Sequence, residues 1–164
     1  MSDASSPEPS RPATGVLVLN GPNLGRLGAR EPEVYGSETF EDLRAAVTRW
    51  SRSLDLAADV RQTDDEAELV GWLHDAVDRG LHVLLNPAAF THYSYAVRDA
   101  AAQVTGAGLV LVEIHLSNPA ARETFRHTSV VAAVSTGTVA GFGLDSYRLG
   151  LEAVRHRVVS TNNS

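Results

Sequence analysis

The chain has 164 residues, the length of one ordinary globular domain, and a hydrophobic content of 43%, enough to fill a single core. A formal net charge of -6 argues against broad polyanion binding, since nucleic-acid binders carry a basic face, and zero cysteines exclude disulfides, thiolate metal sites and cysteine nucleophiles. No run of about 18 apolar residues could span a membrane, and the N-terminus lacks the basic-then-apolar order of a secretory signal, so the expectation is a cytoplasmic protein with a small-molecule partner, no nucleic acid and no membrane.

Residues 1–14 are almost devoid of apolar side chains and read as a disordered tail, because they bury too little to offset the entropy of ordering. From Gly15 to about residue 159, short β-branched runs alternate with amphipathic segments in what reads as one catalytic domain, followed by a polar tail over 160–164. The predicted strands are Val16–Leu19, Ala57–Arg61, His82–Leu85, Leu109–His115 and Thr138–Phe142. Between the first two, Thr39 and Asp42 form a capping box, after which Phe40, Leu43, Val47, Trp50 and Leu54 recur at helical spacing. Thr63 and Glu66 suggest a second box, before a stripe of Leu69, Leu73, Ala76 and Val77 and a C-terminal glycine, Gly80. A third helix is predicted from about Tyr93 to Thr105, ending at Gly106. Tyr147, Leu151, Val154 and Val158 form the last apolar stripe. Five βα units in this order predict a flavodoxin-like, doubly wound, five-stranded parallel sheet with helices on both faces, and a ligand site beyond the carboxyl ends of the strands.

Polar residues follow three of those strands: Asn20, Asn23, Arg26, Arg30 and Tyr35 after the first, Asn86 and His92 after the third, Glu113, His115 and Ser117 at the fourth. The run from Asn20 to Gly28 can simply turn the chain, or it can build a site. Its glycines match neither G-x-G-x-x-G nor the Walker pattern, which disfavours nucleotide binding. The connection from Gly21 to Glu38 is long for a βα loop, as lids and binding loops are. Within it, Arg30 could stabilise a Tyr35 phenolate, against the alternative of an exposed tyrosine beside a solvated arginine. Glu113 and His115 lie two apart on a strand and so share a face, where a carboxylate can fix the imidazole tautomer that a general acid needs. Ser117-Asn118-Pro119 reads as a helix start with Asn118 as cap, leaving free backbone amides to meet an anion, and Arg122 and Arg126 then share a face of that short helix, against the alternative of a mere surface pair partly offset by Glu123. No H-E-x-x-H zinc spacing and no G-x-S-x-G elbow occur in the sequence, so no metal is expected.

Five ordered segments, N-G-P-N-L-G-R-L-G-x-R-E-P-x-V-Y-G (20–36), R-Q-T-D-x-E-x-E-L (61–69), N-P-A-A-F-T-H-x-S (86–94), E-I-H-L-S-N (113–118) and R-E-T-F-R (122–126), together resemble the type II 3-dehydroquinate dehydratase family over about residues 15–158. The resemblance implies a flavodoxin-like fold, a homo-oligomer built as a dodecamer (a tetramer of trimers), and a lyase that removes water from 3-dehydroquinate with no cofactor. It implies that Tyr35, as tyrosinate, is the base, and that Arg30 lowers its pKa. Asn23 would hold a water that stabilises the enolate, and His115 would be the acid, oriented by Glu113. Asn86, Ser117 and the amides of Leu116 and Ser117 would bind the substrate carboxylate and neighbouring hydroxyl, His92 and Arg126 the ring hydroxyls, and Asp99 would arrive from an adjacent subunit. Ala120, the pair Thr63 and Asp64, Ala67 and Ala88 depart from the residues many relatives carry. These departures bear on the packing of the carboxylate pocket and on subunit contacts, not on the base or the acid.

Overall fold

A computed structural model describes residues 12–29 and 31–162, so most of the expected N-terminal tail and the side chain of Arg30 lie outside the described residues. Five strands, β1 (Thr14–Asn20), β2 (Leu56–Gln62), β3 (His82–Asn86), β4 (Leu111–His115) and β5 (Gly137–Ala140), form one sheet in the order β2-β1-β3-β4-β5. All four pairings are parallel, as the flavodoxin-like expectation requires. The helices are α1 (Pro32–Tyr35), α2 (Phe40–Ser53), α3 (Glu66–Arg79), α4 (Tyr95–Gly106) and α5 (Asp145–Asn162). No helix among the described residues is long and apolar enough to cross a membrane.

Alternation along the strands assigns each side chain to a layer. Val16, Val18, Leu84, Val112 and Ile114 pack with Leu43 and Val47 of α2 and with Tyr147, Leu151 and Val154 of α5. Leu17, Leu19, Val83, Leu85 and Leu111 point the other way, against Leu69, Leu73 and Ala76 of α3 and Val97, Ala101 and Val104 of α4. Strands buried on both faces need apolar residues at nearly every position, which is why they read as continuous runs.

Several local expectations change. Thr39 and Asp42 form the reciprocal capping box, but α3 is capped by Asp65, whose side chain accepts from the Ala67 amide. Thr63 instead accepts from the Asp65 amide and donates to Glu68, so the Thr63–Glu66 box does not form. The third predicted helix starts two residues late: Tyr93 ends a 3-10 turn over Ala88–His92, and Ser94 caps α4 through the Val97 amide. β4 begins at Leu111 rather than Leu109, and β5 covers Gly137–Ala140 rather than reaching Phe142. At the other end, α5 continues through residues 160–162, which the sequence alone left in a polar tail. Asn118 caps a single 3-10 turn, Pro119–Ala121, and a second such turn covers Thr124–His127. Arg122 and Arg126 therefore do not share a helix face.

The strand order reverses at β1, and the loops leaving β1 and β3 cross there at close range. The Gly21 amide donates to the Asn86 carbonyl at 2.8 Å. A Cβ on Gly21 would come within 2.6 Å of the Pro87 carbonyl oxygen, a backbone group that cannot swing aside, so the crossing requires glycine.

Candidate active site

A cavity of about 90 Å³ lies at this switch point, lined by Asn23, Tyr35, Asn86, His92, His115, Leu116, Ser117, Arg122 and Arg126 among others. Beyond Tyr35 and Arg122 it opens into a wider surface groove that also touches Glu33, Asn118 and Phe142. Among the described residues, no three His, Asp or Glu side chains cluster as metal ligands would.

His115 ends β4, and its Nε2 lies 2.6 Å from Oε1 of Glu113. A carboxylate only accepts, so Nε2 carries the hydrogen and Nδ1 is the nitrogen left for the cavity. Glu113 is fully buried and is met by three donors: His115, Thr91, and Ser129, whose hydroxyl is 3.0 and 3.1 Å from the two carboxylate oxygens. The Ser129 hydroxyl in turn accepts from the Val131 and Ala132 amides. Burial pushes the Glu113 carboxyl up, but the hydrogen bonds from His115, Thr91 and Ser129 and the His115 charge outweigh it, and the group titrates below its ordinary range.

Tyr35 ends the four-residue α1 on the opposite wall. Nη1 of Arg122 donates to the Tyr35 hydroxyl at 2.7 Å, and the guanidinium carbon sits 5.2 Å from the ring centroid. The same nitrogen is 3.3 Å from the Ser117 hydroxyl. The cation seen at the tyrosine among the described residues is therefore Arg122, whose side chain is only 14% exposed. Its place in the sequence, next to Glu123 and four residues before Arg126, suggested a surface pair, and nothing local signals a partner 87 positions earlier.

Asn23 has a left-handed backbone (φ 69°), which asparagine tolerates, and its amide donates to Oδ1 of Asp64 at 2.8 Å. Asp64 is thus an anchor for the loop after β1. Nδ1 of His92 is 2.8 Å from the Thr128 carbonyl, and Arg126 pairs with Glu123 at 2.7 Å. Asn86 is almost fully buried; its Nδ2 donates to the Tyr147 hydroxyl and its Oδ1 accepts from the Ala88 amide. Asp99 is not brought in: it lies on α4, its side chain 71% exposed and paired with Arg98, away from the cavity of its own chain. Thr91 and Ser129 escaped the sequence reading because a hydroxyl in a loop has no periodicity to betray it.

The family described as "Dehydroquinase class II" matches residues 14–155. A 3-dehydroquinate dehydratase of Salinispora arenicola is 59% identical over 144 residues, covering 87% of this chain and 99% of the relative. A protein of the same name from Kineococcus radiotolerans is 54% identical over 144 residues, covering 88% and 97%. The crystal structure of a type II dehydroquinase from Propionibacterium acnes superposes with a TM-score of 0.85 at 49% identity, covering 90% of this chain and 99% of that one. One from Butyrivibrio crossotus gives 0.84 at 36% identity, covering 87% and 97%.

Proposed function

Because the chain belongs to the class II dehydroquinase family and is a 3-dehydroquinate dehydratase of that type, we propose that it eliminates water from 3-dehydroquinate by a base and an acid on facing walls of one cavity, Tyr35 and His115. The observation that carries this reading is the pairing itself. A tyrosine oxygen held by Arg122 at 2.7 Å and an imidazole held by Glu113 at 2.6 Å line the same small space.

As phenolate, Tyr35 takes the proton alpha to the substrate ketone; that C–H bond breaks and an enolate forms. Tyrosine is a weak base when its phenol is protonated at neutral pH, and a guanidinium at hydrogen-bond distance stabilises the phenolate it must become. Arg30, from the same segment, adds a second cation in this reading. The enolate then expels the hydroxyl beta to the carbonyl on the opposite face. His115 supplies the proton that lets it leave as water, while the Glu113 charge offsets that of the imidazolium. Asn23 holds a water against the enolate oxygen. Asn86, Ser117 and the Leu116 and Ser117 amides hold the carboxylate and adjoining hydroxyl, and His92 and Arg126 the ring hydroxyls. A base, an acid and a stabilised enolate suffice for loss of a hydroxyl beta to a ketone, so the reading needs no cofactor.

The proposal includes one catalytic domain over residues 15–159, cytoplasmic residence and assembly as a dodecamer. In that assembly Asp99, exposed and outside the cavity of its own chain, would serve a neighbouring subunit. Light scattering tests the subunit number, and Asp99→Ala should raise KM without unfolding the chain; an active monomer would refute the shared site. Aromatic biosynthesis and quinate breakdown both use this dehydration.

The decisive assay follows the ultraviolet absorbance of the conjugated enone product when purified protein meets 3-dehydroquinate without added metal or cofactor. The wild type should give a rise that Tyr35→Phe and His115→Ala each abolish. A folded wild type that gives none would refute the activity, and a rise that survives either substitution would refute that residue's role.

A further inference from the structure

At the cavity floor Asn86, read above as a substrate-holding residue, meets two buried polar side chains behind it that the elimination itself does not use, Asn20 and Tyr147. Asn20 and Asn86 end adjacent strands in direct register, and Tyr147 descends from the first turn of α5. Gly150, one turn further on, lets α5 lie close against β3 and β4, since a Cβ there would come within 2.5 Å of Leu84 Cδ1 and 2.7 Å of Ile114 Cδ1.

The polarity of each bond in this chain follows from its two ends. The backbone carbonyls of Val18 and Arg61 can only accept, so the Asn20 amide nitrogen faces them, at 3.3 and 3.0 Å. That turns Oδ1 of Asn20 toward Tyr147, and a carbonyl oxygen can only accept, so the phenol hydrogen is committed to it at 2.6 Å. The phenol oxygen is then left as an acceptor, and Nδ2 of Asn86 donates to it at 2.8 Å. At the far side the Ala88 amide, which can only donate, meets Oδ1 of Asn86 at 3.1 Å. Burial pushes the Tyr147 phenol well above its ordinary range, against a smaller lowering by the Asn86 hydrogen bond, so the hydrogen stays on the oxygen. An amide that could in principle face either way is thereby fixed, because backbone groups at both ends dictate the direction.

We propose that Tyr147 is a positioning residue that locks the Asn86 amide as a hydrogen-bond donor, so that its second Nδ2 hydrogen faces a carboxylate or hydroxyl oxygen of the substrate. This rests on the reading of Asn86 as a substrate-holding residue. The relay makes the donor directional before substrate arrives, which lowers the cost of ordering it on binding.

The test is a double-mutant cycle of Tyr147→Phe and Asn86→Ala, read as KM and kcat for 3-dehydroquinate at a temperature where each variant is folded. Tyr147→Phe should raise KM by about tenfold, the loss expected for a hydrogen bond to a charged acceptor. Asn86→Ala should raise it at least as far, and the double variant should be no worse than Asn86→Ala alone. A purely structural role for Tyr147 would lower the melting temperature and leave KM unchanged, which overturns the proposal. Effects on KM that multiply in the double variant overturn it as well. A normal KM in Asn86→Ala would instead refute the reading of Asn86, with the relay falling as its consequence. Should Tyr147→Phe fail to fold, the Asn86 side-chain amide in the nitrogen-15 spectrum of the wild type decides, its signals identified by their loss in Asn86→Ala. One hydrogen should resist solvent exchange and stay put on addition of 3-dehydroshikimate while the other shifts; two equally exchanging or equally shifting hydrogens overturn the relay.

Discussion

His115 and Tyr35 face one cavity from opposite supports. His115 ends a strand held between two helical layers, and its partner Glu113 is fully buried among Thr91, Ser129 and the imidazole. Tyr35 ends a four-residue helix whose other members, Pro32, Glu33 and Val34, are exposed, entered through Glu31 with a left-handed backbone (φ 39°). The Arg122 guanidinium that holds the Tyr35 hydroxyl comes from a loop after β4, not from the segment that carries the tyrosine. The acid's wall is part of the core, where a lost group strands buried partners. The base's wall is a surface segment, where Tyr35 is only half-buried and loss of its hydroxyl strands a single described donor, Arg122.

That contrast predicts that substitutions on the two walls separate rate from stability. Tyr35→Phe should lower kcat by about 10²- to 10⁴-fold, the range of a lost general base, while urea unfolding shifts by no more than about 0.5 kcal/mol. A large loss of stability in that variant would break the comparison. Glu113→Ala should cost about 3–5 kcal/mol of stability as well as activity, because the His115, Thr91 and Ser129 donors lose a buried anion.

The acid limb of stability sharpens the same point. The Glu113 carboxyl titrates below its ordinary 4.5 in the folded state, so its contribution is present above that pH and is lost as pH falls through the lower folded value. Glu113→Gln should flatten that part of the unfolding profile, and an unchanged acid limb would count against the buried carboxylate as its source. Arg122→Ala should reduce kcat/KM by about tenfold to hundredfold, as expected for a charge-assisted hydrogen bond, with Arg122→Lys recovering part of it. The smallest effect belongs to the cap just beyond the base's wall: Thr39→Ala should cost about 1 kcal/mol of stability and leave KM and kcat unchanged, which thermal melts and the enone assay can check together.

Much of this was legible in the chain. The alternation of runs and stripes gave the five-stranded order, and the Thr39–Asp42 box and Gly80 marked helix ends where they occur. The spacing of Glu113 and His115 anticipated their contact, because a strand returns every second residue to one face. The Thr63–Glu66 box failed because Asp65, two residues nearer the helix, offers its carboxylate to the Ala67 amide, while the Thr63 hydroxyl accepts from the Asp65 amide and donates to Glu68. The single helix expected to carry Arg122 and Arg126 failed because the chain breaks into two 3-10 turns there.

By itself the sequence determined what is periodic or adjacent: the strands, the helical stripes, the caps, and the family resemblance carried by five ordered segments. Only the tertiary structure decided what stands across the switch point. Arg122 meets Tyr35 from 87 residues away, and Tyr147 meets Asn20 from 127. Tyr147 reads in the sequence as one more member of an apolar stripe, since its ring packs in the core layer and only its hydroxyl is polar. Local patterns register which face a side chain occupies; which oxygen finds which amide is fixed by how β1, β3 and α5 come together at the reversal of strand order.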